Sequence, residues 1–158
     1  MPKIVQLTIL GEPMGKQRPK FSTVNGFVKT YTPEKTQSYE NLVKYAYQEK
    51  YGEMVFRPHS QIKAYIIAYY GIPKGHYKFY KRTNTTELDT IGRDMKCGLI
   101  RPTKKPDTDN IAKICLDSLN GIAYTDDSQI VDLAVEKWYA EEPRVEIILE
   151  SLKDESKN

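Results

Sequence analysis

The chain has 158 residues, of which 39% are hydrophobic and 28% charged, and these values predict one folded globular domain and exclude a disordered chain. No apolar run is long enough to cross a membrane, and residues 1–6 lack the apolar core of a signal peptide. We therefore expect a cytoplasmic protein with no membrane partner.

The formal net charge of +3 conceals a basic first part and an acidic second part. Residues 1–105 contain 19 Lys and Arg against 8 Asp and Glu, whereas residues 106–158 contain 5 against 13. A basic surface beside an acidic site suits a metal-dependent enzyme that acts on a polyanion, because the basic part attracts phosphates and the carboxylates hold cations. An ordinary solvated surface, unevenly distributed along the sequence, is the alternative that charge alone leaves open.

The first half of the chain predicts a strand, a hairpin, a helix and a second strand. Residues 3–10 alternate in the manner of a strand, and two β-prone runs flank Asn25-Gly26, which is typical of a tight hairpin. The pair Thr32-Pro33 suits the start of a helix that runs to about residue 50. Residues 61–72, rich in Ile and Tyr, predict a central strand.

The second half begins with the least regular region, residues 73–105, which we interpret as a basic insertion with some local order. Residues 109–120 then predict a helix that ends at Gly121. Residues 130–138 and 145–149 alternate as two strands, and the short polar link between them predicts a hairpin.

The order β-hairpin-α-β-insert-α-β-β predicts an α/β fold, with a mixed β-sheet packed by two main helices in one domain over residues 1–158. Residues 151–158 are mostly polar, and we expect a disordered tail there. The two cysteines, Cys97 and Cys115, have neither metal-ligand spacing nor the density of a disulfide scaffold. Cys115 fits the apolar side of a helix and is predicted to be a buried free thiol.

Four carboxylates and one lysine form the most informative cluster in the sequence: Asp107, Asp109, Lys113, Asp126 and Asp127. Such a concentration of negative charge is costly unless a cation lies between the carboxylates. Mg²⁺ is the natural candidate, because it prefers oxygen ligands and keeps several waters of its own.

The spacing of the first three residues predicts a shared site at a helix start. Pro106 disfavours helix at the residue before it, so the approach to Asp107 is expected to be extended. Asp107 and Asp109 can then turn toward one point, and Lys113 lies one helical turn beyond Asp109 on the same face. The alternative for these three residues is a capped helix with an exposed salt bridge.

Asp126 and Asp127 precede the strand that begins near Gln129. If that strand lies beside the start of the helix, it brings one of the two carboxylates back to Asp107 and Asp109. Successive strand residues point to opposite faces, so we expect only one of the pair to bind the metal directly. A simple turn is the alternative for this pair.

Three segments of this cluster resemble the RusA-type Holliday junction resolvases, endodeoxyribonucleases common in prophages: Lys105-Pro106-Asp107-Thr108-Asp109-Asn110-Ile111-Ala112-Lys113, Leu116-Asp117-Ser118-Leu119-Asn120-Gly121 and Asp126-Asp127-Ser128-Gln129-Ile130-Val131. The resemblance implies a RusA-like endonuclease domain that resolves four-way DNA junctions by paired symmetric nicks in recombination and repair. It also implies dependence on Mg²⁺, for which Mn²⁺ is a possible substitute.

The resemblance assigns a role to each residue of the signature. Asp107, Asp109 and Asp127 look like the three metal-binding and catalytic aspartates, and Asp126 resembles the accompanying acid. Lys113 looks like the catalytic lysine, whose ammonium can stabilise charge on the phosphate. Its alternative is a salt bridge that only holds Asp109.

The resemblance further implies a homodimer, which suits a substrate with approximate two-fold symmetry that must be nicked on two strands. Two alternatives remain from the sequence. One is a nuclease for flaps or other branched DNA, since the same carboxylates serve both substrates. The other is a non-catalytic junction-binding module, which gains nothing from acids placed near phosphates.

Basic and polar residues outside the cluster are candidates for contact with DNA phosphates. Aromatic residues between the basic ones of the insertion, at positions 77, 79 and 80, can stack on opened bases. The alternative is that the basic residues only solubilise their loops. The candidates are Lys16, Arg18, Lys20, Lys74, Lys78, Lys81, Arg82, Lys105 and Asn110.

Overall fold

The computed structural model describes residues 1–153, apart from the side chains of Val24, Lys29 and Tyr31. Within that range the chain forms eight strands and three α-helices. They follow in the order β1 Ile4–Leu10, β2 Lys20–Val24, β3 Phe27–Tyr31, α1 Glu34–Lys50, β4 Ile62–Gly71, β5 Tyr77–Tyr80, β6 Thr85–Leu88, α2 Thr90–Lys96, α3 Thr108–Leu119, β7 Ile130–Ala140 and β8 Arg144–Ser151. Short 3-10 helices lie at Lys74–His76 and Asp127–Gln129.

A four-stranded mixed sheet forms the centre of the fold, in the order β1-β8-β4-β7. Strand β4 pairs with β7 in parallel and with β8 in antiparallel, and β1 pairs with β8 in antiparallel. The predicted α/β class with a mixed sheet is therefore confirmed. The predicted hairpin at Asn25-Gly26 is also present, as the two-stranded ribbon β2–β3.

The predicted hairpin between the last two strands is wrong, because β4 lies between β7 and β8. Strand β4 has a continuous buried row from Ile62 to Tyr70 at every second residue, so two hydrogen-bonded neighbours suit it. Strand β7 is mostly exposed in its first half and occupies the edge. The link of residues 141–143 spans two strand spacings, about 10 Å, which an extended chain of that length can reach.

Helices α1 and α3 cover one face of the sheet, where the inward rows of the strands form the core. Each row alternates with exposed or half-buried positions, the pattern of strands with one buried face. Cys115 lies in this core as a free thiol, as predicted, and burial raises its pKa to about 12. The largest fully buried side chains are Tyr47, Tyr70, Tyr124, Phe56, Ile9, Ile62, Ile66, Ile111, Ile114, Leu119, Ile147 and Leu149.

The insertion of residues 73–105 folds into the β5–β6 hairpin followed by α2, a third and shorter helix. Asp89 caps α2 by accepting a hydrogen bond from the Gly92 amide at 2.7 Å. The segment after α2 returns to the sheet, where the Arg101 guanidinium lies 3.6 Å from the centre of the Trp138 ring. The insertion is therefore an ordered unit that is attached to β7.

The end of the chain differs in part from expectation. Ser151 is the last residue of β8, is buried and accepts a hydrogen bond from the Lys3 amide, so the predicted tail of residues 151–158 starts too early. Residues 154–158 lie outside the described part of the chain. No helix within residues 1–153 has the length and apolar character needed to cross a membrane.

We predict that Gly98→Ala detaches the insertion from the sheet. Gly98 has a φ of +85°, and a Cβ there would lie 2.4 Å from Cζ3 of Trp138. We expect the free energy of unfolding to fall by about 2–4 kcal/mol. Urea unfolding followed by the fluorescence of the single tryptophan measures the effect. Gly75→Ala is the control, since nothing lies within 4 Å of its Cβ position, and equal midpoints for the two variants would contradict the prediction.

Candidate active site at the start of helix α3

Helix α3 begins at an aspartate whose side chain is not used to cap the helix. Asp107 is extended, as the sequence predicted, and it is also the N-cap residue, a position expected for Thr108 or Asp109; its carbonyl accepts the Ile111 amide at 3.0 Å. Its carboxylate makes no capping hydrogen bond, whereas Asp89, the N-cap of α2, does. The carboxylate of Asp107 is exposed and remains available for another partner.

Asp109 and Lys113 lie one turn apart on the exposed side of α3, and its opposite side is buried in the core. Neither side chain forms a hydrogen bond or ion pair with another residue of the described chain. The predicted alternative of a salt bridge between them is therefore absent from the described structure. The helix presents two unpaired charges of opposite sign beside Asp107.

The loop between β1 and β2 packs closely against the start of α3. A Cβ at Gly15 would lie 2.7 Å from the Cβ of Pro106 and 3.1 Å from that of Asn110, so only glycine permits this approach. The Lys16 amide donates to the Asn110 carbonyl at 3.0 Å. Residues 13–17 and 105–107 and Asn110 line a cleft of about 320 Å³ that contains Asp107 at its wall.

Tyr70, at the end of β4, supports the residue before Asp107. Its hydroxyl donates to the Pro106 carbonyl at 2.8 Å, and the ring is buried. Burial and the nearby carboxylates of Glu12 and Asp107 raise the pKa of this hydroxyl, so it stays protonated and keeps donating. Glu12 is held in turn by the Gly71 amide, at 3.1 Å.

Two lysines that the sequence analysis did not identify lie beside Tyr70. The ammonium groups of Lys104 and Lys137 lie 5.6 Å and 5.2 Å from the centre of the Tyr70 ring. The Lys137 ammonium also donates to the Lys104 carbonyl at 2.6 Å. Lys137 is opposite buried Ala68 of β4 and therefore lies on the inward row of β7. A lysine in an otherwise apolar row is the sequence signal that could have identified this residue.

Asp126 and Asp127 lie at the other end of α3 and differ in their surroundings. Asp126 caps the short 3-10 helix, and its carboxylate accepts hydrogen bonds from the hydroxyl and amide of Ser128, which lower its pKa. Asp127 is exposed, and its side chain has no hydrogen bond or ion pair within the described residues. Of the pair, only Asp127 has a carboxylate that is not engaged by the fold.

The expectation that the strand after Asp126 and Asp127 brings one of these two carboxylates back to Asp107 and Asp109 is wrong for a single chain. Helix α3 is 12 residues long, about 18 Å, and separates the two groups. Asp127 lies at the start of β7 beside Ile62, whereas Tyr70, which holds Pro106, lies at the opposite end of β4. Among the described residues, no three His, Cys, Asp or Glu side chains form a group that could hold a metal ion.

A single chain therefore offers Asp107 and Asp109 as oxygen ligands at one end of α3 and Asp127 at the other. The chemistry of these donors fits Mg²⁺, which takes one or two carboxylates and keeps several waters. The full predicted set is not assembled within one chain.

The predicted DNA contacts divide into engaged and exposed residues. The Lys16 ammonium pairs with Glu40 of α1 and, at 3.3 Å, with Asp117 of α3, so it joins the two helices. Asn110 is half-buried at the cleft. The exposed candidates are Arg18 before the β2–β3 ribbon, Lys20 at the first position of β2, Lys74, Lys78, Lys81 and Arg82 on the insertion, and Lys105 at the cleft.

A mixed α/β domain with exposed aspartates and a lysine in these segments defines a RusA-like domain. Residues 11–150 match the family described as Endodeoxyribonuclease RusA. The uncharacterized protein YqaN of Bacillus subtilis (strain 168) is 34% identical over 145 residues, which cover 92% of this chain and 94% of YqaN.

The chain belongs to the RusA endodeoxyribonuclease family, which confirms the resemblance seen in the sequence. Membership implies a junction-resolving nuclease. Nucleases of this family bind branched DNA and are generally dependent on a divalent metal.

We predict that Lys16 stabilises the fold below about pH 10.5. Partial burial lowers the pKa of its ammonium, but the hydrogen bonds and charges of Glu40 and Asp117 outweigh that effect and raise it above 10.5. Because the folded-state pKa is the higher one, the stabilisation is complete below the unfolded pKa and is lost as the pH rises through the folded value.

Lys16→Gln is expected to lower the free energy of unfolding by about 1–2 kcal/mol at pH 7. Urea unfolding at pH 7, 9 and 11 should show the difference from the natural chain shrinking only at the highest pH. Lys35→Gln, an exposed lysine of α1, is the control. A Lys16 effect that is equally large at pH 11 and pH 7 would contradict the ion-pair explanation.

Proposed function

We propose that this protein is a Mg²⁺-dependent endodeoxyribonuclease that resolves four-way DNA junctions by paired symmetric nicks. The carrying observation is that Asp107, Asp109, Lys113 and Asp127 are all exposed and unpaired within the described residues. Two other carboxylates of the same segments are engaged: Asp117 pairs with Lys16, and Asp126 caps a 3-10 helix. Four signature residues without a role in the fold are best explained by a role in the reaction.

The chemistry follows from these residue types. Hydrolysis of a phosphodiester needs an activated water and stabilisation of the negative charge that develops on the phosphate and the leaving oxygen. A bound Mg²⁺ supplies a lowered water pKa and polarises the phosphate, and Mn²⁺ accepts the same oxygen ligands. Asp107, Asp109 and Asp127 are the proposed ligands. The Lys113 ammonium, one turn beyond Asp109, stabilises charge on the phosphate. Asp126 has a supporting role, since it holds the turn that presents Asp127.

A homodimer accounts for the separation of the carboxylates along α3. Strand β7 is at the edge of the sheet, and its first half exposes apolar side chains, with Val131 56% and Leu133 47% exposed. The insertion contacts Lys137 and Trp138, so the free part of this edge is the first half of β7, and a free strand edge is a template for pairing with a second chain. If two copies pair those first halves in antiparallel, the residues that precede β7 in one copy lie beside the second half of β7 in the other. The partner's Asp127 then lies at the end of the sheet that carries Asp107 and Asp109.

The exposed basic residues suit contact with the phosphates around that end of the sheet. The β1–β2 loop and the insertion both leave the sheet at the end that carries Tyr70, so Arg18, Lys20 and Lys74 belong to segments that start at the same end of the sheet as the cleft with Lys105. Such contacts position the DNA without reading its sequence, and they weaken as salt rises.

The first test is cleavage of a labelled four-way junction in Mg²⁺, beside a flap and a linear duplex. We expect paired symmetric nicks that EDTA abolishes. Asp109→Asn and Asp127→Asn should each lower cleavage at least about 100-fold, with junction binding retained because only phosphate-repelling charge is removed. Asp126→Asn is the matched control, since asparagine is also a good N-cap, and most of its cleavage should remain.

Binding without cleavage in Mg²⁺ or Mn²⁺ would favour a junction-binding module over an enzyme. Equal cleavage of flap and junction would support the proposed hydrolysis and contradict the proposed selectivity for junctions.

A mixing experiment tests the composite site. In a mixed dimer of Asp109→Asn with Asp127→Asn, one site carries both substitutions and the other is intact, so nicking of one strand should return. Mixing Asp107→Asn with Asp109→Asn leaves every site defective and should restore nothing. Absence of recovery in the first mixture, with dimers verified by light scattering, would place all ligands in one chain.

A further inference from the structure

We propose that the β5–β6 hairpin stacks Phe79 and Tyr80 on unpaired bases at the branch point of the bound DNA. The inference rests on the proposed function and concerns a surface outside the carboxylate signature. The hairpin belongs to the insertion, and its tip is formed by residues 80–85. Phe79 is 59% and Tyr80 46% exposed, so neither ring is used by the core.

The base of the hairpin is anchored, so its tip has a defined position. Leu88 is buried beneath it, and the Asp89 amide donates to the His76 carbonyl at 2.8 Å. The His76 ring also contacts the Asp89 carboxylate at 3.1 Å, and that carboxylate caps α2. Tyr77, at the base, is half-buried and lies near Lys96 and Glu141. Tyr77 therefore belongs to the anchor, which leaves Phe79 and Tyr80 as the available rings.

The charge of the hairpin indicates which kind of molecule binds to it. Lys78, Lys81 and Arg82 are exposed around the two rings, and Glu87, opposite Lys78, is the one acidic residue within the hairpin. Exposed rings surrounded by cations repel a basic protein surface but match a nucleic acid, whose phosphates pair with the cations while its bases stack on the rings. Paired bases inside a duplex hide their faces, so unpaired bases are the ligand.

The location of the hairpin agrees with this partner. It leaves the sheet directly after Gly71, beside Tyr70, which holds the residue before Asp107. The strands of the hairpin are four residues long, so its tip reaches about 13 Å from its base. The stacking rings therefore project from the same end of the sheet as the proposed cleavage site.

Photocrosslinking tests the contact directly. A four-way junction with 5-iododeoxyuridine at the branch point is bound by Asp109→Asn protein, which prevents cleavage, and is irradiated. We expect the crosslink on the peptide that contains Phe79 and Tyr80, and its loss when both are changed to alanine. Binding to the junction should fall about tenfold in that variant, with binding to linear duplex unchanged.

Controls separate stacking from charge and from folding. Tyr45→Ala removes another exposed ring, on α1, and should change nothing. Phe79→Leu keeps apolar bulk and should still lose crosslinking at position 79. Lys81→Gln should weaken binding to junction and duplex alike and reduce the salt dependence.

The outcomes distinguish this inference from the proposed function. If the natural protein cuts the junction but the crosslink maps elsewhere and the double alanine variant binds normally, the stacking role is overturned and the function stands. If the protein neither binds nor cuts branched DNA, the function fails. A single-stranded oligonucleotide with the same iodinated base then still tests the hairpin, and absence of a crosslink there overturns it too.

Discussion

The position of β4 between β7 and β8 is the constraint on which the rest of the structure depends. Its inward row is buried along its whole length, so it takes the interior of the sheet and leaves β7 at the edge. Because α3 leads back along the sheet before β7 begins, the two carboxylate groups of the signature fall at opposite ends of that helix. Strand β7, at the edge of the sheet, is the surface on which a second chain brings the two carboxylate groups together in the proposed dimer.

Environment, and not residue type, divides the aspartates of this chain into two classes. Asp89, Asp107 and Asp126 all begin a helix, and only Asp107 leaves its carboxylate unused. A side-chain cap contributes about 1 kcal/mol, and the start of α3 lacks that contribution because the Asp107 carboxylate does not cap it. The Tyr70 hydroxyl, which holds the adjoining carbonyl, fixes the backbone at that point without engaging the carboxylate.

Local signals account for what the sequence predicted correctly. The start of α3, the Asn25-Gly26 hairpin and the buried thiol of Cys115 follow from neighbours within one or two turns of chain. The failures are non-local. The order of β7 and β8 depends on which strand buries more surface, and the pairing of Lys16 with Glu40 and Asp117 depends on two helices that meet only in the folded state. Neither the strand order nor this ion pairing produces a repeating pattern of residues in the sequence.

In the proposed function, the division between local and non-local features also separates the residues of the reaction from those that would contact DNA. The signature residues lie in α3 and in the turn before β7. Their spacing along the sequence is enough to place the proposed reactive groups on one exposed helix face and in one turn. The basic insertion and the β2–β3 ribbon lie outside it and contribute little to the core, since most of their side chains are exposed. Substitutions at the exposed positions of these two segments change the free energy of unfolding little, because the sheet and its two covering helices bury most of the apolar surface. In the proposed function, exposed residues of these two segments can change without moving the carboxylates and the lysine. We therefore expect substrate preference to depend on the insertion and the ribbon, and the reaction to depend on α3 and the turn before β7.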